Sequence, residues 1–147
     1  MVLVGSIEQT FNSVIEKFYL EYPDLVHRIK FEGIINSRDE LYHKYSKSKV
    51  FVLPSRWESF ALVGPEALSC GCRIIISDQV PPMYEVTCEG KYGQIIPVDN
   101  VEYLATAMVE ATKKTYTSQE AQEIANYAKE HFSWVKICEK LQQYIIE

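Results

Sequence analysis

Apolar residues follow two patterns along the chain: short continuous runs, and longer stretches in which they recur every three or four positions. The clearest runs, at 50–53 and 74–76, are typical of parallel strands that are covered on both faces. Shorter runs predict a buried strand at 2–5 and further strands at 29–34 and 94–96. The sequence therefore predicts a series of short strands separated by helices.

Helical spacing and helix-end signals predict the elements between these strands. Apolar residues from Ile7 to Phe18 form one helical face, and Pro23 ends that helix because proline cannot continue it. Ser37, followed three residues later by Glu40, is a capping-box pattern that begins a second helix. A short helix is predicted between 64 and 71, and longer helices are predicted over 101–112, 118–131 and 133–147.

Strands that alternate with helices predict a doubly wound α/β fold with a parallel, Rossmann-like sheet and a helical C-terminal tail. The length of 147 residues fits one domain over 1–147. In such folds ligands bind at the carboxyl ends of the strands. The loops after 50–53 and 74–76 are therefore the first places to expect a binding site.

Composition and charge exclude several classes of function. Fifteen basic and 20 acidic residues give a net charge of −5, which argues against a broad nucleic-acid surface. No apolar run approaches the ~18–20 residues of a membrane-spanning helix, and no signal peptide is visible, so a cytoplasmic location is expected. Cys70 and Cys72 form a Cys-x-Cys pair, but a zinc site would need two more ligands at comparable spacing. The cysteines are interpreted as reduced, buried thiols, and no metal is expected.

The segment 54–71 carries the candidate chemistry, because it leaves a predicted strand, crosses a loop and enters a helix. Glu58 falls in the loop and Glu66 in the first turn of the helix. A carboxylate offers two acceptor oxygens to vicinal sugar hydroxyls, and unpaired backbone N–H groups near 63–66 suit an anionic diphosphate. The alternative interpretation is that Glu66 only stabilises a helix N-terminus.

The same segment resembles the C-terminal domains of the retaining two-domain (GT-B type) glycosyltransferases of group 1, also called family 4. Their pattern is Pro-Ser-x-x-Glu-[Gly/Ser]-Phe-Gly, followed by Glu-Ala-x3-Gly. The positions that match are Pro54, Ser55, Glu58, Ser59, Phe60, Glu66, Ala67 and Gly71. Further matches are Phe31-Glu32-Gly33, Glu40-Leu41-Tyr42, Lys91-Tyr92-Gly93 and Phe132-Ser133-Trp134. The resemblance thus covers nearly the whole chain.

This resemblance implies a role for each matching residue. Glu58 is expected to hold hydroxyls of the donor sugar at the catalytic centre, and Glu66 the ribose hydroxyls of the donor nucleotide. The residues expected to present backbone groups to the sugar and diphosphate, or to lie along the base, are Ser59, Phe60, Ala61, Leu62, Gly33 and Ile34. Weaker candidates for contacts are Arg56, Trp57, Asp78 and Gln79.

The implied reaction is transfer of a sugar from a nucleoside-diphosphate sugar to an acceptor hydroxyl, with retention and without a cofactor. Polysaccharide or glycolipid synthesis is the expected setting. The family's domain begins with a strand and loop that carry an Arg and a Lys for the diphosphate, and a separate N-terminal domain binds the acceptor. This sequence contains neither, so we expect a domain truncated at its N-terminal edge that does not transfer sugar alone.

Two other functions stay open at this point: a non-catalytic nucleotide-sugar-binding module, and a doubly wound interaction or signalling domain. The last helix has an apolar face formed by Trp134, Ile137, Leu141 and Ile145, which predicts a surface for self-association. Peripheral membrane association of a longer, intact protein is also left open.

Overall fold

The computed structural model describes residues 1–146 as alternating strands and helices in which the paired strands run parallel. The strands are β1 (Val2–Leu3), β2 (Lys30–Phe31), β3 (Val50–Leu53), β4 (Arg73–Ser77) and β5 (Gly93–Ile96). The helices are α1 (Gln9–Glu21), α2 (Arg38–Ser46), α3 (Val63–Ser69), α4 (Met83–Thr87), α5 (Val101–Lys113), α6 (Ser118–Phe132) and α7 (Trp134–Ile146). The predicted α/β fold with a helical C-terminal tail is confirmed. Glu147, which both the predicted domain and the predicted last helix include, lies outside the described residues.

The chain divides into two compact units, Met1–Leu41 and Tyr42–Glu147. The strands form two parallel ladders, one of β1 and β2 and one in the order β3-β4-β5. The prediction of one domain over 1–147 stays a prediction.

The first unit is built on the β1–β2 pair and α1. Tyr19 on α1 donates a hydrogen bond of 2.7 Å to the carbonyl oxygen of Ile29, just before β2. The helix ends before Pro23, as predicted, but Ile7 precedes it and Phe11 is exposed. A strand forms at Val2–Leu3, but the prediction that residues 2–5 are a buried strand is wrong, because they are exposed and, within this unit, β1 pairs with β2 alone.

The second unit is built on the three-stranded sheet, with β4 at its centre. Ile74, Ile75 and Ile76 are at most 2% exposed, since β4 has a paired strand on each side. The strand at 50–53 was expected to be covered on both faces, but β3 lies at the end of this ladder and all four of its residues are half-buried.

Helices complete the core of the second unit. Ile75 on β4, Ile96 on β5 and Ala107 on α5 form a buried cluster. The Asn100 side chain caps α5 and the Thr117 side chain caps α6, each by accepting a hydrogen bond from a backbone N–H in the first turn. These caps fix where the C-terminal helices begin.

An ion pair joins α6 to the first residue of β4. The Arg73 guanidinium donates to both carboxylate oxygens of Glu120, from Nε at 2.7 Å and from Nη2 at 2.6 Å. Nη2 also donates to the carbonyl oxygen of Thr115 at 2.6 Å, and the guanidinium lies over the Tyr116 ring. This two-point contact positions α6 against the start of the central strand.

Two features differ from the sequence-based expectation. Helix α4 was not predicted, because its five residues are too few to show helical periodicity. The cysteines are free, as expected, but only Cys72 is buried, whereas Cys138 on α7 is exposed. Among the helices of residues 1–146, none is long and apolar enough to cross a membrane.

Candidate functional site

The candidate site lies at the carboxyl edge of the three-stranded sheet. Leu53 of β3 stands in register with Ile76 of β4, and Ser77 of β4 with Ile96 of β5. Parallel strands in this register end together, so the loops that follow them start at the same edge. The loop that contains Glu58 is one of these loops.

A chain of hydrogen bonds leads from the sheet to Glu58. Ser77, the last residue of β4, is fully buried, and its hydroxyl donates to the carbonyl oxygen of Ser55. The Ser55 hydroxyl in turn donates to the Glu58 carboxylate, with 2.9 Å between Oγ and Oε1. Glu58 is half-buried, so one oxygen is held by the protein while the residue keeps access to solvent.

The four residues after Glu58 form a turn rich in exposed backbone. Ser59, Phe60 and Leu62 are exposed, whereas Ala61 is buried and has a φ of +55°. Within the described part of the chain, the backbone N–H groups of these four residues donate to no other protein group. The turn therefore presents a run of unpaired donors beside the Glu58 carboxylate, which suits oxygen-rich anions.

The positive φ of Ala61 bears on the resemblance described above. The family often has Gly at this position, and Gly adopts such a φ without a steric penalty. Here a residue with a Cβ adopts it, which costs about 1 kcal/mol. The surrounding turn holds Ala61 in a conformation that its side chain disfavours.

The start of α3 differs from the prediction of free N–H groups near 63–66. The Gly64 N–H donates to the Ala61 carbonyl oxygen at 2.9 Å, and the Glu66 N–H donates to the Leu62 carbonyl oxygen at 3.1 Å. Pro65 has no N–H to offer. In the described residues, Val63 N–H has no acceptor, as predicted, and the other unpaired donors lie earlier, in the turn at 59–62. The N–H groups of Gly64 and Glu66 are paired because α3 begins one residue before the predicted start.

Glu66 lies in the first turn of α3, as predicted from the sequence, and it is half-buried. Its charge acts on the neighbouring α2: the pKa of Tyr45 is raised to about 12, mainly by burial and next by the negative charge of Glu66. Burial, and to a smaller extent Glu66, also raise the pKa of the Cys70 thiol, whereas a hydrogen bond with Ser69 lowers it. The charge of Glu66 thus disfavours the ionised forms of Tyr45 and Cys70.

Two further contacts link the loops at this edge. Arg56 Nε donates to Asp99 Oδ1 at 2.7 Å, so the loop after β3 is tied to the loop after β5. The Val98 N–H donates to Asp78 Oδ1 at 3.1 Å, which ties the loops after β4 and β5. Sequence reasoning named Arg56 and Asp78 only as weak candidates and missed Asp99, although the edge position of all three loops was a usable signal.

The other predicted site residues belong to the first unit. Gly33 follows β2 with a φ of +67°, and its carbonyl oxygen accepts a hydrogen bond of 2.8 Å from the Gly5 N–H. Ile34 is exposed. The second unit brings Glu58, residues 59–62 and Glu66 together in one segment, whereas base contacts by Gly33 and Ile34 stay a prediction.

The described residues offer no metal site, and one cavity lies apart from the two carboxylates. Across residues 1–146, no group of three or more His, Cys, Asp or Glu side chains could hold a metal ion. One cavity of about 440 Å³ is lined by residues of α2, α3 and α6 and by Tyr116, and it does not include Glu58 or Glu66.

The sequence matches a family model, and the fold matches solved structures. The family model described as Glycosyl transferases group 1 matches residues 1–131. Sucrose-phosphate synthase from Thermosynechococcus elongatus aligns with a TM-score of 0.75 at 28% identity, over 98% of this chain and 37% of that chain. HepE from Anabaena in complex with UDP aligns with a TM-score of 0.70 at 21% identity, over 98% and 40%. HepE with UDP and glucose gives 0.70 at 20% identity, over 98% and 39%.

These matches confirm the predicted Rossmann-like fold of a C-terminal GT-B domain. The chain spans less than half the length of these solved structures. No curated protein matches the sequence.

Proposed function

The chain belongs to the group 1 glycosyl transferases, and from that premise we propose that it is the donor-binding domain of a retaining glycosyltransferase. Its donor is a nucleoside-diphosphate sugar, and the sugar passes to an acceptor hydroxyl. The bond between the anomeric carbon and the diphosphate oxygen breaks, and a bond to the acceptor oxygen forms on the same face of the sugar. No cofactor or metal takes part in this proposal.

The observation that carries the proposal is the order of groups along the loop after β3. A carboxylate held by Ser55 comes first, a turn of four unpaired N–H groups follows, and a second carboxylate stands at the start of α3. A nucleotide sugar has the complementary order of sugar hydroxyls, diphosphate oxygens and ribose hydroxyls. This order is the same read from either end. The assignment of Glu58 to the sugar and Glu66 to the ribose, with the diphosphate along residues 59–62, therefore follows from the resemblance to the group 1 family.

We also propose that the chain as given does not complete the reaction alone. In the described residues, Arg56 is the cation nearest to Glu58 in sequence, and Asp99 already neutralises it. A diphosphate that faces only neutral N–H groups lacks charge-assisted hydrogen bonds worth about 1.5–3 kcal/mol each. Transfer also needs a cleft that excludes water, and this chain covers only 37% of the sucrose-phosphate synthase chain with which it aligns.

The remaining proposals concern the setting of the reaction. The acceptor, a sugar or glycolipid, is assigned to a part of the protein outside these 147 residues, and polysaccharide or glycolipid synthesis is the proposed pathway. A cytoplasmic location stays a prediction, as does peripheral membrane association. Trp134, Leu141 and Ile145 are exposed on α7, which supports self-association through that helix. A single monomeric species in concentrated sedimentation runs contradicts it.

The test of the proposed function is a comparison of UDP and UDP-glucose binding, because the HepE structures hold UDP and glucose. Glu66→Gln is expected to lower the affinity for both UDP and UDP-glucose at least about tenfold, since a hydrogen bond to a charged group contributes roughly 1.5–3 kcal/mol. Glu58→Gln is expected to weaken UDP-glucose alone. GDP and ADP pairs extend the test to the other bases.

Glu102→Gln is the matched control, because Glu102 also lies in the first turn of a helix, α5, and is exposed. It removes the same helix-dipole interaction from a residue outside the segment 54–71, so both affinities are expected to stay unchanged. If the Glu58→Gln and Glu66→Gln variants bind UDP and UDP-glucose with the same affinities as the Glu102→Gln control, the interaction-domain alternative is favoured instead.

A further inference from the structure

Two polar residues in the described chain are fully buried, Ser77 and Thr87. Thr87 makes the common intrahelical bond of a buried threonine, donating to the Met83 carbonyl oxygen at 2.7 Å. Ser77 instead bonds outside its own strand. Its hydroxyl donates to the Ser55 carbonyl oxygen and accepts from the Gln79 N–H at 3.2 Å.

The reason for this arrangement lies in the strand before Glu58. Leu53 is the last paired residue of β3, in register with Ile76. Pro54 follows and has no N–H, so the β3–β4 ladder ends there. The Ser77 side chain then supplies the donor for the carbonyl oxygen of Ser55, two residues beyond the last paired residue of β3. A buried hydroxyl is tolerated at this point because both its donor and its acceptor are used.

The consequence passes to Glu58 through Ser55. The Ser77 bond fixes the backbone of Ser55, and the Ser55 hydroxyl holds Glu58 Oε1 at 2.9 Å. Glu58 is half-buried and lies in a loop outside helix and strand, so this bond limits the rotamers of a side chain that has three rotatable torsions. A carboxylate held in this way does not have to be ordered when a ligand binds.

We propose that Ser77 is a positioning residue that sets the orientation of the Glu58 carboxylate through Ser55. The effect on ligand preference rests on the proposed function, in which Glu58 contacts the sugar. The effect on the Glu58 carboxylate itself does not, and it is measured without a ligand.

The ligand-free measurement is the carboxyl carbon resonance of Glu58 in the full chain. Ser77→Ala is expected to shift this resonance, because the oriented bond from Ser55 is weakened. In a Ser55→Ala background, Ser77→Ala is expected to have no further effect. The matched control is Thr87→Val, which also removes a fully buried hydroxyl and is expected to leave the Glu58 resonance unchanged.

The ligand measurement is the ratio of the affinities for UDP-glucose and UDP. Ser77→Ala is expected to lower the preference for UDP-glucose roughly three- to tenfold, the range for loss of one hydrogen bond. Thr87→Val is expected to leave the ratio of affinities unchanged, even if it lowers the stability of the chain as much as Ser77→Ala does. An equal loss for both ligands, or an unmoved Glu58 resonance, overturns the positioning role.

The two ideas fail in different ways. If the unaltered chain binds neither ligand, the proposed function is contradicted, and the Glu58 resonance alone then decides whether Ser77 positions the carboxylate. If the unaltered chain binds both ligands and Ser77→Ala leaves the ratio and the resonance as they were, the proposed function stands and the positioning role is rejected.

Discussion

The ion pair between Arg73 and Glu120 is expected to stabilise the second unit more than any exposed pair does. The perturbation is Glu120→Gln, which keeps the size of the side chain and removes its charge. The Arg73 side chain is 13% exposed and that of Glu120 is 28% exposed, so most of the contact is shielded from water. After the substitution, the guanidinium keeps the Thr115 carbonyl oxygen but loses its counter-charge.

The magnitude follows from the burial of the pair. Breaking a fully buried pair costs about 3–5 kcal/mol, whereas an exposed pair contributes about 0–1 kcal/mol. The exposed quarter of Glu120 and the remaining Thr115 bond reduce the cost, so about 2–3 kcal/mol is expected. For a chain of this size each kcal/mol lowers Tm by about 2–4 °C, which gives a fall of about 4–12 °C.

The assay is urea unfolding followed by circular dichroism, with Glu139→Gln as the matched control. Lys136 and Glu139 form a 3.0 Å pair on α7, but their side chains are 36% and 53% exposed. The control is expected to cost less than about 1 kcal/mol. Equal costs for the two variants, or a cost below about 1 kcal/mol for Glu120→Gln, refute the argument from burial.

The remaining predictions concern buried positions. Burial raises the pKa of Cys72 from 9.0 to about 12. At pH 8 a thiol reagent is therefore expected to label the exposed Cys138 and to reach Cys72 only after unfolding. Rapid labelling of both cysteines contradicts this burial. Between pH 9 and 12 the folded chain retains the Cys72 proton while the unfolded chain loses it. The contribution of this thiol to stability is therefore present below pH 9 and is lost between pH 9 and 12. Urea unfolding midpoints measured at rising pH test this loss. Gly93→Ala is expected to cost about 3 kcal/mol in urea unfolding, since a Cβ would lie 2.5 Å from the Ile74 carbonyl oxygen. A cost below about 1 kcal/mol contradicts that packing.

The sequence predicted the regular elements well where the signal was local. Ser37 caps α2, with its hydroxyl accepting from the Glu40 N–H at 3.3 Å, as the capping-box pattern indicated. The apolar run at 50–53 forms β3 with the predicted bounds. Such signals depend on residues a few positions apart, and the chain satisfies them wherever the rest of the fold lies.

The sequence could not predict features that depend on distant neighbours. A run of four apolar residues does not show whether a strand lies at the centre or at the end of its ladder. The predicted central position of β3 was therefore wrong. The partners Ser77 with Ser55 and Arg56 with Asp99 are 22 and 43 residues apart, and only the register of the sheet brings them together. The unpaired N–H groups were placed partly too late, at 63–66 instead of 59–63, because the predicted start of α3 was one residue after the observed start.

The most direct test of the donor-binding account is an amide NMR titration of the chain with UDP, GDP, ADP and their sugar conjugates. The account predicts that one nucleotide shifts the amide resonances of 59–62 and of Glu66, and that its sugar conjugate additionally shifts Glu58. If millimolar nucleotide leaves these resonances unmoved, or moves only residues away from the carboxyl edge of the sheet, the central claim is contradicted.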